Sequence, residues 1–189
     1  PVWSVDVGTG IVRLQEPGMP PIVSVPVGGV PLQVRADLEG RAVVLDVIFG
    51  VVHLLEPGGS FVSATMPGPC ADAVPDGAGA AVALVLSAGS SQIVRLDCTG
   101  RPVSARILPV FAYRIRLLED GTALALSTVS SGHGLSRIVV DTGEIVAFRG
   151  LARGPTDIAF DDAGRFLLPG AEATAVPVYD VALRRVGEF

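Results

Sequence analysis

The stretch Asp37–Asp46, DLEGRAVVLD, sets the pattern of the whole chain: an acidic, glycine-bearing turn followed at once by a short apolar run. The pattern returns as DGAGAAVALVLS at 76–87, EDGTALALS at 119–127 and DDAGRFLLP at 161–169. Its marker glycines Gly40, Gly79, Gly121 and Gly164 are spaced by 39, 42 and 43 residues. A second marker keeps the same beat, since Glu16, Glu56, Asp97, Asp141 and Asp180 lie 40, 41, 44 and 39 residues apart. Two independent markers with one period of about 41 residues define an internal repeat, and short strands repeated at that length are the signature of β-propeller blades.

Stacking the repeats gives a unit of four strands, a to d. In the last repeat Thr156–Asp161 reads as strand a, Arg165–Leu168 as b, Thr174–Asp180 as c and Arg184–Phe189 as d. The turn from a to b always carries an acid and a glycine, and the turn from c to d carries the second marker (Glu16-Pro17-Gly18, Glu56-Pro57-Gly58, Asp97 to Gly100, Asp141-Thr142-Gly143). Carboxylates accept local backbone N–H bonds and glycine supplies positive φ, so these are turn residues with a mechanism. The longest segment free of glycine and proline, Val110–Asp120, decides helix against strand. Phe111, Tyr113, Ile115 and Leu117 alternate there with Ala112, Arg114 and Arg116, which is period two. The chain reads as all-β.

Ser4-Val5-Asp6-Val7 followed by Gly10-Ile11-Val12-Arg13-Leu14 matches Leu45-Asp46-Val47 and Gly50-Val51-Val52-His53-Leu54 at an offset of 40. Residues 1–27 therefore supply strands b, c and d of a blade without its own strand a, and four whole blades follow at about 31–66, 69–108, 110–150 and 154–189. A closed ring needs one more strand, and an open one leaves strand edges unpaired. The expectation is a single propeller domain or a fragment of one, completed by further blades of a longer parent chain. The segment Gly154–Val181, GPTDIAFDDAGRFLLPGAEATAVPVYDV, resembles WD-like and surface-layer (YVTN-type) propeller repeats: Pro, an apolar strand, an Asp-x-x-Gly-Arg turn, a second strand, then an apolar-Tyr-Asp close. The Trp-Asp dipeptide and the Tyr-Val-Thr-Asn strand that name the two subfamilies are absent. The resemblance, like one to the scaffold of streptogramin lyases, thus implies the fold and transfers no residue roles.

Composition narrows the function classes. Apolar residues make up 49% and charged residues 17%, which is a packed globular chain. Glycine and proline, 23 and 15 residues, are spread throughout, as many tight turns require. All 14 basic residues are arginine, and the net charge is −5 with no basic run, which argues against nucleic acid or an anionic membrane as partner. The longest strongly apolar stretch, Ala42–Leu55, includes Asp46 and His53 and is too short to span a bilayer. Cys70 and Cys98 fall at opposite faces of the blade scheme and are expected free and buried, leaving the compartment undecided.

Site candidates follow from the blade scheme. Twelve of the 19 acids fall in a–b and c–d turns, where they read as turn caps because they lack the dense spacing of a calcium loop. Seven residues before each marker glycine stand Gln33, Asp72, Arg114 and Asp157, all polar within mostly apolar strands. Strands a line the channel of a propeller, so these four are expected as a partial ring at its mouth, able to hold a polar ligand or to neutralise one another. Asp6 and Asp46 end strand b on the same side, and the loop from Ser127 to Asp141 is four residues longer than its counterparts, its insertion Ser130–Gly134 bearing His133. A histidine there can serve as a base or ligand, or be merely solvated; His53, at the position of Arg13 on strand c, is the weaker candidate.

The chain has no G-x-S-x-G elbow, no H-E-x-x-H, no Cys/His pair at metal spacing and no phosphate loop. The leading expectation is a non-catalytic binding or scaffolding propeller, part of a larger bacterial protein, taking a protein or a small polar ligand and no cofactor. A metal-assisted lyase, lactonase or hydrolase with its site at the channel mouth, a divalent metal held there, is the alternative, and a structural spacer the third.

Overall fold

The computed structural model describes residues 2–130, 132–161, 163–172 and 174–188, so that Ser131 of the insertion and Asp162 of the last a–b turn lie outside the described residues. The chain is all-β, a β-propeller of antiparallel blades. The first sheet has three strands, β1 (Val2–Asp6), β2 (Ile11–Gln15) and β3 (Val23–Pro26), and is the three-stranded blade. Four four-stranded sheets follow. They are β4 (Pro31–Ala36), β5 (Ala42–Asp46), β6 (Val51–Leu55) and β7 (Phe61–Thr65); then β8 (Cys70–Pro75), β9 (Ala81–Ser87), β10 (Ser90–Leu96) and β11 (Pro102–Leu108). The fourth sheet holds β12 (Phe111–Leu117), β13 (Thr122–Val129), β14 (Gly132–Val139) and β15 (Ile145–Leu151). The last holds β16 (Ala159–Phe160), β17 (Phe166–Leu167), β18 (Pro177–Tyr179) and β19 (Arg185–Glu188). These last strands are much shorter than the segments expected from sequence, and Asp157 precedes β16 instead of lying within it. Pro155, Pro169 and Pro177 flank or enter them, and proline has no N–H to give a ladder.

The chain divides into two compact units, residues 1–88 with 92–105 and residues 89–91 with 106–189. In the first unit the second strand of a blade is buried on both faces. Ala42 and Val44 of β5 pack with Trp3, Val12, Leu14 and Val25 of the first sheet, while Val43 and Leu45 pack with Cys70, Ala73, Ala81, Ala83 and Val85 of the third. Period-two alternation sends successive side chains to opposite faces, so a continuous apolar run here means a strand stacked between two sheets. The Trp3 indole N–H donates to the Gly40 carbonyl at 2.8 Å, tying the first sheet to the a–b turn of the second. In the second unit Leu124, Leu126 and Leu135 pack with Ile158, Phe166, Leu168, Tyr179 and Leu183, and the Arg149 guanidinium lies 5.0 Å from the Tyr179 ring centre.

The acidic turns work as their sequence implies. In Asp37–Arg41, Asp161–Arg165 and Asp180–Arg184 one carboxylate oxygen accepts the backbone N–H four residues on at 2.9 Å, and the other accepts the same arginine's Nε at 2.7 Å. Asp97 caps the backbone of Thr99 and Arg101 in the same way, at 2.8 and 3.0 Å. Bonds from the backbone and side chain of Arg184 hold the Asp180 carboxyl below the usual range. Among the described residues no three His, Cys, Asp or Glu side chains gather as a metal group. Both cysteines are free, but only Cys70 is buried, which pushes its thiol up to about 12; Cys98 is exposed, because its position is a turn and not the strand end beside it. No helix is long and apolar enough to cross a membrane among the described residues.

One turn departs from the pattern. Where its relatives have Gly40, Gly100 and Gly164, the Asp180 turn has Leu183, at φ 62° and buried in the core of its unit. A left-handed residue costs about 1–2 kcal/mol, whereas full burial of leucine contributes about 1.5–3 kcal/mol, so the side chain outweighs the strain. Leu183→Ala keeps the strain and loses the packing, and is expected to cost about 2–3 kcal/mol. Leu183→Gly relieves the strain and should cost only about 1 kcal/mol. Urea denaturation that ranked glycine below alanine would contradict this account.

Candidate functional site

Each complete strand a of the first three four-stranded sheets carries the same irregularity. Register slips between Pro31 and Gln33 in β4, between Cys70 and Asp72 in β8 and between Ala112 and Arg114 in β12. The extra residue, Leu32, Ala71 or Tyr113, immediately precedes one of the polar residues picked from sequence. A bulge turns the strand locally and re-aims the next side chain, and such bulges gather beside functional sites. The bulge also resets the alternation in β12, where Ala112 and Ile115 are the buried residues instead of a strict every-second-residue face.

In the first unit the structure brings Gln33 and Asp72 together. The Gln33 amide donates to Asp72 Oδ1, which also accepts the Ala73 N–H at 3.0 Å, and the Arg35 guanidinium approaches the same oxygen at 3.5 Å. The Asp72 side chain is wholly buried. In the second unit Asp157 pairs with Arg116, whose other nitrogens donate to the Ile158 and Ile115 carbonyls at 3.2 and 2.6 Å. Arg114 Nη1 donates to the Tyr113 carbonyl at 3.1 Å. Asp157 is 42% exposed and Arg116 only 11%. Arg35 and Arg116 were missed from sequence, though both sit two residues beyond a chosen position and so share its face of the strand.

Asp6 and Asp46 cap the b–c hairpins. Asp6 accepts the N–H groups of Gly8 and Thr9 at 3.1 and 3.2 Å, and its Oδ2 meets Arg13 at 3.5 Å. The bonds from Thr9, then those from Arg13 and Gly8, hold its carboxyl below the usual range. Asp46 accepts Ile48 and Phe49 N–H at 3.1 and 3.0 Å and Val30 N–H at 2.7 Å, and is buried. At Gly29 a Cβ would stand 2.0 Å from Asp46 Oδ2, so only glycine lets the chain cross the carboxylate there. His133 is not in a loop. Its part of the insertion lengthens β14, pairing His133 with Thr128 and Leu151, because extending a ladder satisfies backbone groups that a longer loop would leave to water. Its ring lies over Gly154, and its Nδ1 is buried without a partner among the described residues.

His53, set aside as peripheral, is buried. Its Nδ1 bonds Ser63 Oγ at 2.8 Å and Phe61 meets the ring edge-on, 6.0 Å between centres. Burial pushes its pKa down, and nearby Asp46 opposes this only in part. With Asp46 it lines a cavity of about 230 Å³ formed by Val27, Gly28, Gly29, Phe49 and Val51.

No protein-family model matches the sequence, and the comparison with curated proteins finds no match. Solved structures do match. Virginiamycin B lyase from Staphylococcus aureus is 12% identical with a TM-score of 0.74, over 99% of this chain and 65% of its own. A Bacteroides caccae protein of unknown function gives 16% and 0.71, over 99% and 71%. BamB from Moraxella catarrhalis gives 15% and 0.65, over 98% and 60%. These likenesses are of fold, and the chain spans roughly two thirds of the length of the structures it matches.

Two predictions follow the geometry. Asp72→Ala strands Gln33 and Arg35 around a buried hole and should cost about 3 kcal/mol by urea denaturation, whereas Asp157→Ala at a half-exposed pair should cost under about 1 kcal/mol. For His53 the folded pKa lies below the unfolded one, so its contribution is full above about pH 6.5 and is lost as pH falls toward the folded value. Between pH 7 and pH 5.5 the native chain should therefore lose more stability than His53→Asn, which keeps the Ser63 bond; parallel curves would exclude the assignment.

Proposed function

We propose that the chain is part of a non-catalytic binding or scaffolding propeller of a larger bacterial protein, built of WD-like, surface-layer-type repeats. It is one propeller domain or a fragment of one, with blades at about 1–27, 31–66, 69–108, 110–150 and 154–189 and the remaining blades supplied by the parent chain. Its ligand is a protein or a small polar molecule. The residues proposed to recognise it are Gln33 and Asp72 with Asp6 and Asp46 in the first unit, and Arg114 and Asp157 with His133 in the second. The repeated bulge just before Gln33, Asp72 and Arg114 carries this reading. A device present in three repeats, each time immediately before a polar residue, suits recognition.

The state of the polar groups supports binding over chemistry. Asp72 is held by Gln33 and Arg35, and Asp157 by Arg116. A general base needs an accessible lone pair, and carboxylates already engaged by guanidinium groups present fewer of them. The enzyme reading has one observation in its favour, the buried Nδ1 of His133 over Gly154, which has no partner among the described residues.

Thermal-shift screening against polar small molecules and short peptides tests both. Ligands found should bind about tenfold more weakly to Arg114→Ala and Asp157→Ala, and mass spectrometry should return them unchanged. Affinities indifferent to both substitutions would move recognition away from strands a. Turnover of a ligand, abolished in His133→Ala, would replace the binding reading with the enzyme one.

A further inference from the structure

The protein neutralises its carboxylates systematically. Asp6 has Arg13, Asp37 has Arg41, Asp76 has Arg95, Asp120 has Arg137, Asp157 has Arg116, Asp161 has Arg165 and Asp180 has Arg184. Among the described residues two carboxylates are buried, Asp72 and Asp46. Asp72 has Arg35; Asp46 has only the backbone N–H groups of Val30, Ile48 and Phe49, and no cation pairs with it among the described residues. A buried carboxylate needs hydrogen bonds and a counter-charge, and here the second is missing.

The repeat shows where that counter-charge belongs. In the first sheet Arg13 stands seven residues after Asp6 and pairs with it. In the second sheet the equivalent residue, seven after Asp46, is His53. Burial favours its neutral form, so it does not restore the charge near pH 7. Its Nδ1 is taken by Ser63, and its Nε2 has no hydrogen-bond partner among the described residues. The shorter ring also leaves the space an arginine would fill, and the cavity of about 230 Å³ is lined by Asp46, His53, Val27, Phe49, Val51 and the backbone of Gly28 and Gly29. Among the described residues Asp46 and His53 are the only titratable groups in that wall. Apolar cavities of about 150 Å³ already hold a benzene ring, so this one has room for a ring with a short substituent.

We infer that this cavity is a binding site for a small organic cation, a primary ammonium or amidinium group carried on a single ring, whose charge replaces the guanidinium that the first blade supplies from Arg13. The ammonium lies toward Asp46 and His53 Nε2, and the ring lies between Val27 and Val51. Phe49, 61% exposed at the rim, offers its face to the charge. The site shares Asp46 with the set proposed above but contains none of the strand-a residues, and it stands on the Asp46–His53 geometry alone.

The test is an NMR titration of the full chain near pH 7.5 with benzylammonium, and with benzyl alcohol and benzoate as neutral and anionic counterparts. Benzylammonium should shift the amide signals of Gly28, Gly29, Ile48 and Phe49, and bind at least about tenfold more tightly than benzyl alcohol, with benzoate weaker still. His53→Arg copies the Asp6–Arg13 pair into the cavity, so it should abolish benzylammonium binding while leaving the melting temperature unchanged or higher. Phe49→Ala, at an exposed side chain, should fold normally and weaken binding severalfold. Arg114→Ala should leave it untouched. Equal affinity for benzyl alcohol would overturn the proposal, as would absence of binding to the native chain or its survival in a folded His53→Arg.

Discussion

Everything in this molecule depends on a strand that is covered on both faces. β5 sends Ala42 and Val44 to one neighbouring sheet and Val43 and Leu45 to the other, so it has no side from which water can reach its backbone. Its N–H and C=O groups must then be satisfied within its own sheet, by β4 on one edge and β6 on the other. A chain that repeats this arrangement needs short strands, tight turns and a fixed length per unit. The period of about 41 residues is that requirement written along the sequence.

Charge is managed with equal economy. In the Asp37, Asp161 and Asp180 turns the carboxylate caps the backbone and holds an arginine with the same two oxygens, so each of these turns is closed and neutralised by one five-residue segment. At exposed turns these pairs contribute little to stability individually. Their value is to define the turn. Buried carboxylates are a different matter: around Asp72 the amide of Gln33 and the guanidinium of Arg35 replace lost water, whereas around Asp46 only backbone groups do. The contrast between these two sites is the main chemical asymmetry of the first unit.

Bulges connect the scaffold to recognition. A regular strand would keep Gln33, Asp72 and Arg114 in step with the apolar residues beside them. One additional residue before each breaks the step without disturbing the ladder beyond it, and at Asp72 the polar side chain stays buried against Gln33 and Arg35. Propellers of very different roles share this scaffold, so the function has to be argued from such sites and not from the fold.

The turns, the strands and their repeat were legible in the sequence because each is a local code. An Asp-x-x-Gly-Arg turn closes within five residues, and apolar alternation needs no partner to be recognised. The missing strand a of the first blade was legible too, from the match of residues 4–14 to residues 45–54. What escaped was decided over longer distances. The bulges that shift the phase of β4, β8 and β12 arise from pairing with the next strand, and they made Arg35 and Arg116, not the chosen residues alone, part of the polar set. His133 became a strand residue because β13 and β14 could lengthen together, and Leu183 tolerates a glycine's conformation because a core receives its side chain. His53 looked peripheral on its strand and is buried by Phe61, Ser63 and the glycine crossing at 28–29, residues that only the folded sheets bring against it. Sequence alone determined the repeating unit, since its signals lie within a few residues. Tertiary structure decided which polar groups meet, since burial and pairing are properties of residues that the chain itself keeps far apart.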